Sequence, residues 1–304
     1  MTSGLHDQDL PRGLPGMISN SSAVAAAVAV AAEHGVRARE PVVLNDSFNL
    51  RIHLRPAPIV ARVPTVTALG RPRPADVLRR ELEVVSYLCG LGAPVVPPSD
   101  LLPAGPHLRD GVVVSFWTHV EHDPDYAVTP EQAGRALAGL HQALHGFPGR
   151  LPYLWPVLEE PLRLLDLLDG QVEADVLERL REAHAGLAER VEGGAVQAVH
   201  GDAHPGNLLA TSSGLLWNDF EETMAAPAGW DLACLLRTTR LDGQAAVRAY
   251  GADPGDPGVR AFLAARGLQG TLWMLVRALR FPSEADTARA ALEAWLRDPS
   301  GATR

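Results

Sequence analysis

Asp202 and Asn207 stand five residues apart in His200-Gly201-Asp202-Ala203-His204-Pro205-Gly206-Asn207, and Asp219 follows twelve positions later in Leu215-Leu216-Trp217-Asn218-Asp219-Phe220-Glu221. Two carboxylates and an amide in this order suit phosphoryl transfer, a reaction catalysed mainly by positioning and charge neutralisation. Asp202 would orient an attacking hydroxyl and accept its proton. Asn207 and Asp219 would offer hard oxygen donors to magnesium, with water and nucleotide phosphate completing the octahedron. Singly, each is an ordinary turn residue, since Asp and Asn favour turns; jointly, the order and spacing single out the site. His200 and His204 also invite zinc, but no third ligand stands at usable spacing and the pair does not lie on a regular helix. Holding the loop by hydrogen bonds is the plainer role for them. His141 and His145, one helical turn apart, read as a core or cleft-lining pair.

Side chains of this kind need a framework that brings separate loops to one cleft. Short apolar runs at 41–44, 49–54 and 59–63 predict three antiparallel strands. A helical stripe follows in Val77, Leu78, Leu82, Val85 and Leu88. Leu101-Leu102 and the run 111–116 suggest two further strands. After Trp117 the periodicity turns helical, and Thr129-Pro130-Glu131 is a helix start with Pro at the first position. Further helices are expected at 162–168, 174–191, 245–250, 259–265, 268–281 and 285–297. The pattern is α+β: a flexible segment 1–20, a small β-rich lobe 21–117 and a larger helical lobe 118–304, with the reactive motif on loops of the second lobe. A cleft between lobes is a common ligand site.

The 304-residue chain is 46% hydrophobic and 21% charged, ordinary for a globular protein with a sizeable core. Its net charge of -9 argues against a general nucleic-acid binder. All 27 basic residues are arginine, so Schiff-base chemistry and a phosphate-binding lysine are excluded. Cys89 and Cys234 lie in apolar helical patterns without metal spacing and read as buried thiols of a reducing cytoplasm. The apolar stretch 22–32 is too short to span a bilayer and lacks a basic leader, so no membrane partner is expected. The oligomeric state leaves no signature.

The three motifs at His200–Asn207, Asp219-Phe220-Glu221 and Gly229-Trp230-Asp231-Leu232-Ala233 together resemble the aminoglycoside phosphotransferase family, small-molecule kinases of the protein-kinase-like two-lobed fold. The resemblance runs over roughly residues 40–280. It implies that Asp202 is the catalytic aspartate, and that Asn207 and Asp219 hold magnesium at ATP, with GTP as an alternative nucleotide. It also implies that Asp231 braces the catalytic loop. Arg62 would take the place of the ATP-anchoring lysine on the third strand, paired with Glu81 of the following helix. Ser47, in the glycine-free turn Asn45-Asp46-Ser47-Phe48-Asn49, would face phosphate, and Trp117 and His119 would flank the nucleotide at the hinge. Glu221 stands where protein kinases have glycine. The implied activity is phosphorylation of a hydroxyl on a small molecule, an aminoglycoside or other antibiotic, with amino alcohols, sugars and nucleosides as alternatives. Glu159, Glu160, Glu173 and Asp175 are candidates for recognising amines, and Trp155 for lining the substrate cleft. A nucleotide-binding protein without turnover is the competing class, because lysine and the glycine loop are missing.

Overall fold

The computed structural model describes residues 17–188, 190–191 and 195–300; the stretch 1–16 of the expected flexible segment lies outside the described residues. Helix α1 (Asn20–Glu33) is capped by Ser19, whose hydroxyl accepts from Ser22 N–H. It leads into β1 (Glu40–Asp46), β2 (Asn49–Arg55) and β3 (Ile59–Pro64). The short α2 (Thr67–Gly70) and the long α3 (Pro74–Gly90) precede β4 (His107–Arg109) and β5 (Val112–Thr118). The five strands form one antiparallel sheet in the order β1-β2-β3-β5-β4.

Alternation along the strands decides what each face carries. Leu50, Ile52, Leu54, Ala61 and Phe116 are fully buried in a cluster with Ala23, Ala26, Ala27 and Val30 of α1. Small alanine side chains let that helix lie close to the sheet. Burying a leucine or isoleucine is worth roughly 1.5–3 kcal/mol each, so this layer anchors the lobe. The register Arg51↔Arg62 and Arg62↔Ser115 puts these polar residues in a row across the sheet, alternating with the α1-facing residues.

The helical part begins at α4 (Pro130–Leu144), where Thr129 and Gln132 form a reciprocal capping box. It continues through α5 (Trp155–Leu158), α6 (Glu160–Leu167) and α7 (Ala174–Ala188). Two small antiparallel ribbons follow: β6 (Val196–Val199) pairs with β9 (Met224–Pro227), and β7 (Leu208–Thr211) pairs with β8 (Gly214–Trp217). Then come α8 (Gly229–Arg237), α9 (Gly243–Tyr250), α10 (Pro257–Arg280) and α11 (Ala285–Arg297). None of the described helices is long and apolar enough to cross a membrane.

Three departures from the sequence expectations have local causes. The fourth strand is His107–Arg109 and not Leu101-Leu102; it is the segment that reaches β5 in register, with Leu108 opposite Val113. The helices expected at 259–265 and 268–281 are one, α10. Gly267 lies inside it, and its missing side chain leaves room for Arg237, whose Nη1 would lie 3.1 Å from an added Cβ. The ribbons β6–β9 and β7–β8 flank the reactive motif where no strand is expected; strands of four residues carry too little alternation to stand out.

Candidate active site

The loop after β6 is held from beneath by Asp231, which is wholly buried near the start of α8. One of its oxygens accepts from His200 N–H at 2.8 Å and the other from Gly201 N–H at 2.9 Å. His141 Nε2 donates to the same carboxylate at 2.9 Å, and the Trp230 indole N–H donates to Gly201 O at 2.6 Å. A buried carboxylate needs such donors to remain charged. Gly201 has φ +92°, and an added Cβ would sit 2.1 Å from Glu222 O, so only glycine lets the loop pass there. His200 donates through Nε2 to Asn218 O at 3.1 Å and accepts through Nδ1 from Asp202 N–H at 3.2 Å. These partners require the neutral imidazole, and burial lowers its pKa. His200 thus struts the loop by hydrogen bonds, and His204 Nδ1 accepts from Gly206 N–H at 3.0 Å.

Asp202 stands just beyond this brace. Its Oδ1 pairs with Arg266 of α10. Its Oδ2 lies 3.4 Å from His204 Nε2 and accepts from Asn207 Nδ2 at 3.2 Å. Burial alone would raise the pKa of this carboxyl, but Arg266 first and His204 second outweigh it and hold the group well below the usual range. Asp202 is therefore anionic at all ordinary pH.

Asn207 and Asp219 meet at the open end of the β7–β8 hairpin. The register Leu208↔Trp217 brings the residues before β7 and after β8 together, and Asn218 N–H donates to Asn207 O at 3.0 Å. Asn207 Nδ2 is committed to Asp202, while its Oδ1 has no hydrogen-bond partner among the described residues. Asp219 has φ +68°, a left-handed conformation that Asp tolerates better than most residues. Its oxygens accept from Arg51 at 2.6 Å and Arg62 at 2.9 Å, and these cations depress its pKa against the effect of burial. The two oxygen-donor groups fit a hard divalent cation. No cluster of three His, Cys, Asp or Glu side chains among the described residues would hold a metal alone, so phosphate oxygens and water would have to complete its shell.

The sheet supplies the opposite wall. Arg62 on β3 is buried between Asp219 and Glu81, and Glu81 Oε1 accepts from Phe220 N–H at 3.0 Å. The Arg62 guanidinium also lies over the Trp117 ring at 5.5 Å. The Trp117 indole N–H donates to Ser115 Oγ at 3.0 Å. His119 stacks on His53 with ring centroids 3.8 Å apart and donates its backbone N–H to Pro58 O. Ser47 lies in the β1–β2 turn, half-buried, without a side-chain hydrogen bond among the described residues. Beside it, Phe48 packs edge-on against Trp273 of α10 at 5.8 Å and so ties the turn to the helical lobe. Asp202, Asn207, Asp219, Arg62 and Glu81 thus form one connected constellation, with Trp117 against it; Ser47 and His119 make no hydrogen bond or ion pair with those five.

Several participants escaped the sequence reading. Arg51 joins Arg62 on Asp219, and Arg266 joins Asp202. Arg71, just past α2, reaches Glu160 at 2.6 Å, Glu221 at 2.9 Å and Glu222 at 2.9 Å. Glu160 also accepts from the Trp273 indole N–H at 2.8 Å, so it is spent inside the protein and is not open to an amine ligand. Glu159, Glu173 and Asp175 are exposed on the helical surface. Trp155 lies over Arg71 and Arg80, at 5.1 and 4.8 Å. Burial lifts the Glu222 pKa to about 8, against the pull of Arg266 and Arg71.

A family model described as the phosphotransferase enzyme family matches residues 43–267. The chain belongs to this family. Within the phosphotransferase enzyme family, the two-lobed arrangement described above is shared by solved structures of low sequence identity. A choline kinase from Streptococcus pneumoniae, LicA, superposes with TM-score 0.60 at 14% identity, covering 88% of this chain and 98% of that one. The GDP complex of aminoglycoside 2'-phosphotransferase-IIIa gives TM-score 0.59 at 17% identity over 88% and 96% of the two chains. Amicoumacin kinase hAmiN with AMP-PNP, Ca2+ and Ami gives 0.63 at 13% identity over 86% and 88%. At these identities the likeness is one of fold. No curated protein sequence matches the chain. Family membership makes this phosphotransferase a small-molecule kinase with a hydroxyl acceptor.

Proposed function

We propose that the chain transfers the γ-phosphoryl group of ATP, with magnesium, to a hydroxyl of a small molecule in the cytoplasm. The observation that carries this reading is the link from Asp202 through Asn207 to Asp219: Asn207 donates to Asp202 at 2.9 and 3.2 Å, and its carbonyl receives the N–H next to Asp219. An acceptor-orienting carboxylate and two oxygen donors therefore share one corner. Asn207 and Asp219 are the residues that would hold magnesium, which supplies charge neutralisation at the β- and γ-phosphates. Arg62, paired with Glu81 and Asp219, would contribute positive charge toward the phosphates. Asp202 orients the acceptor hydroxyl. As the hydroxyl oxygen forms its bond to the γ-phosphorus, the bond to the bridging oxygen breaks and ADP leaves with the electron pair. The hydroxyl proton is released past Asp202 to a product phosphate oxygen or to water, because the low pKa of this carboxyl suits it to orienting the hydroxyl and not to keeping the proton. GTP is the alternative donor, since the fold neighbours include both GDP and AMP-PNP complexes. Neighbouring kinases act, by their names, on choline, aminoglycosides and amicoumacin; the acceptor here belongs among hydroxyl compounds of comparable size.

A second reading, nucleotide binding without turnover, draws on one observation. Both oxygens of Asp219 are occupied by arginines, which a metal would have to displace. Acceptor-dependent ADP formation separates the two. Asp202→Asn should reduce turnover by about 10²–10⁴-fold with Mg-nucleotide affinity unchanged. Asp219→Asn should weaken Mg-nucleotide binding itself. A folded Asp202→Asn protein with full turnover, or an Asp219→Asn protein with full magnesium-dependent affinity, would overturn these roles.

A further inference from the structure

A cavity of ≈ 540 Å³ opens on the helical side of Asp202, walled by the catalytic loop, α8, α10 and α11. Two of its lining residues, Arg266 and His204, touch the Asp202 carboxylate. Its charged lining is one-sided: Arg237, Arg240, Arg266 and Arg297 against Asp298 alone. Arg266 is spent on Asp202 and Glu222. Arg240 and Arg297 are exposed and make no ion pair among the described residues. The indole of Trp295 also lines the cavity, and its buried N–H has no hydrogen-bond partner. Hydrogen-bond donors thus gather at this opening in a chain whose net charge is -9. A polyamine would meet like charge there, and the carboxylates that could receive it are engaged elsewhere: Glu160 and Glu222 by Arg71, Glu222 also by Arg266.

We infer that this cavity is the acceptor site and that the acceptor is an anion: a hydroxyl compound carrying a carboxylate or a phosphate, its charged group held by Arg240 and Arg297 and its hydroxyl turned toward Asp202. Arginine forks are suited to both groups. This deepens the proposed kinase function and rests on it for the transfer step: the acceptor hydroxyl gains the phosphoryl group and loses its proton, ADP departs, and the acceptor's anionic group is unchanged.

The test uses the full chain saturated with Mg-AMP-PNP, so that the nucleotide side is filled. Glucuronate, glucose 6-phosphate, glucose and glucosamine present similar rings that differ in charge; their binding is followed by tryptophan fluorescence at constant ionic strength. The expected order places at least one anion well above glucose and glucosamine. The two anions tell a carboxylate from a phosphate preference. Arg240→Gln combined with Arg297→Gln should weaken that anion about tenfold or more. Both residues are exposed, so the variant should fold as the parent does, and equal thermal midpoints verify this. Glucosamine binding more tightly than both anions overturns the inference, as does failure of both anions to bind, or an anion affinity untouched by the double substitution. ADP formation from Mg-ATP with the preferred anion is measured in parallel. Anion binding that depends on the two arginines, without transfer to any compound, supports the cavity's charge preference and tells against the kinase reading instead.

Discussion

Arg62 and Arg71 are both nearly inaccessible, at 3% and 4% exposure, and both carry a charge from the sheet side toward carboxylates of the helical lobe. Their surroundings make them opposites. Arg62 shares two close carboxylates, Glu81 and Asp219, with Glu221 farther off at 3.8 Å, and it has none at its Nε. Burial outweighs those partners and lowers its pKa. Arg71 has a separate carboxylate within 2.9 Å of each of its three nitrogens and lies over the rings of Trp155 and Trp273. There the carboxylates outweigh burial, and the pKa rises. An arginine with surplus carboxylates is a structural tie between lobes. One with unsatisfied capacity, beside a carboxylate that still reaches the cleft, is left to bind something else. Buried charge therefore marks a ligand site here only where the local balance is incomplete.

The largest effect should come from removing the tie. Arg71→Met leaves Glu160, Glu221 and Glu222 facing one another without their cation, and breaking a buried ion pair in this way costs about 3–5 kcal/mol. Denaturant unfolding should show that loss, while the folded fraction keeps its Mg-nucleotide affinity. Lost nucleotide affinity with intact stability would invert the assignment of the two arginines. Lysine substitutions sharpen the same contrast with a smaller effect. A lysine at 62 can still bridge two carboxylates, whereas a lysine at 71 cannot reach three at once. Arg62→Lys should therefore stay close to the parent in stability and turn over more slowly, and Arg71→Lys should be the less stable by about 1–3 kcal/mol. Equal midpoints for the two would remove the distinction.

The sequence disclosed one of these arginines and hid the other, for a physical reason. Arg62 and Glu81 are legible only through the family resemblance that the downstream motifs carry, which points to the third strand and to the helix after it. Asp202, Asn207 and Asp219 sit in one contiguous stretch, where spacing along the chain is nearly spacing in space. Arg71 and Glu160 are 89 residues apart and meet only through tertiary packing, in segments too short for a periodic signal. Arg266 was findable. It continues the buried spacing Val259, Phe262 and Leu263 along α10, but it falls in the gap between the helices expected at 259–265 and 268–281. The two lobes, the order of the first three strands and the capped start of α4 were legible because each follows from local chemistry. The small ribbons that aim the site residues are held by long-range pairing, as in Val199↔Met224.

His200 gives the comparison its third case, a buried base kept neutral. It is wholly buried, tilted against Phe220 at 4.4 Å and Trp217 at 5.1 Å. Asp231, Asp202 and Asp219 pull its pKa up, but burial prevails and the folded value lies below the ordinary 6.5. In the unfolded chain the ring takes a proton near pH 6.5, so between that pH and the lower folded value the unfolded state binds more protons. The histidine's stabilising contribution is therefore complete above 6.5 and is lost as pH falls toward the folded pKa. Unfolding free energies measured from pH 8 down to pH 5 should drop for the parent and drop less for His200→Gln, whose amide can donate to Asn218 O without titrating. The difference between the two curves isolates this residue from the acidic groups common to both. Coincident slopes would mean that the ring accepts a proton in place, and that the loop carrying Asp202 tolerates a cation where Arg62 and Arg71 need carboxylates to keep theirs.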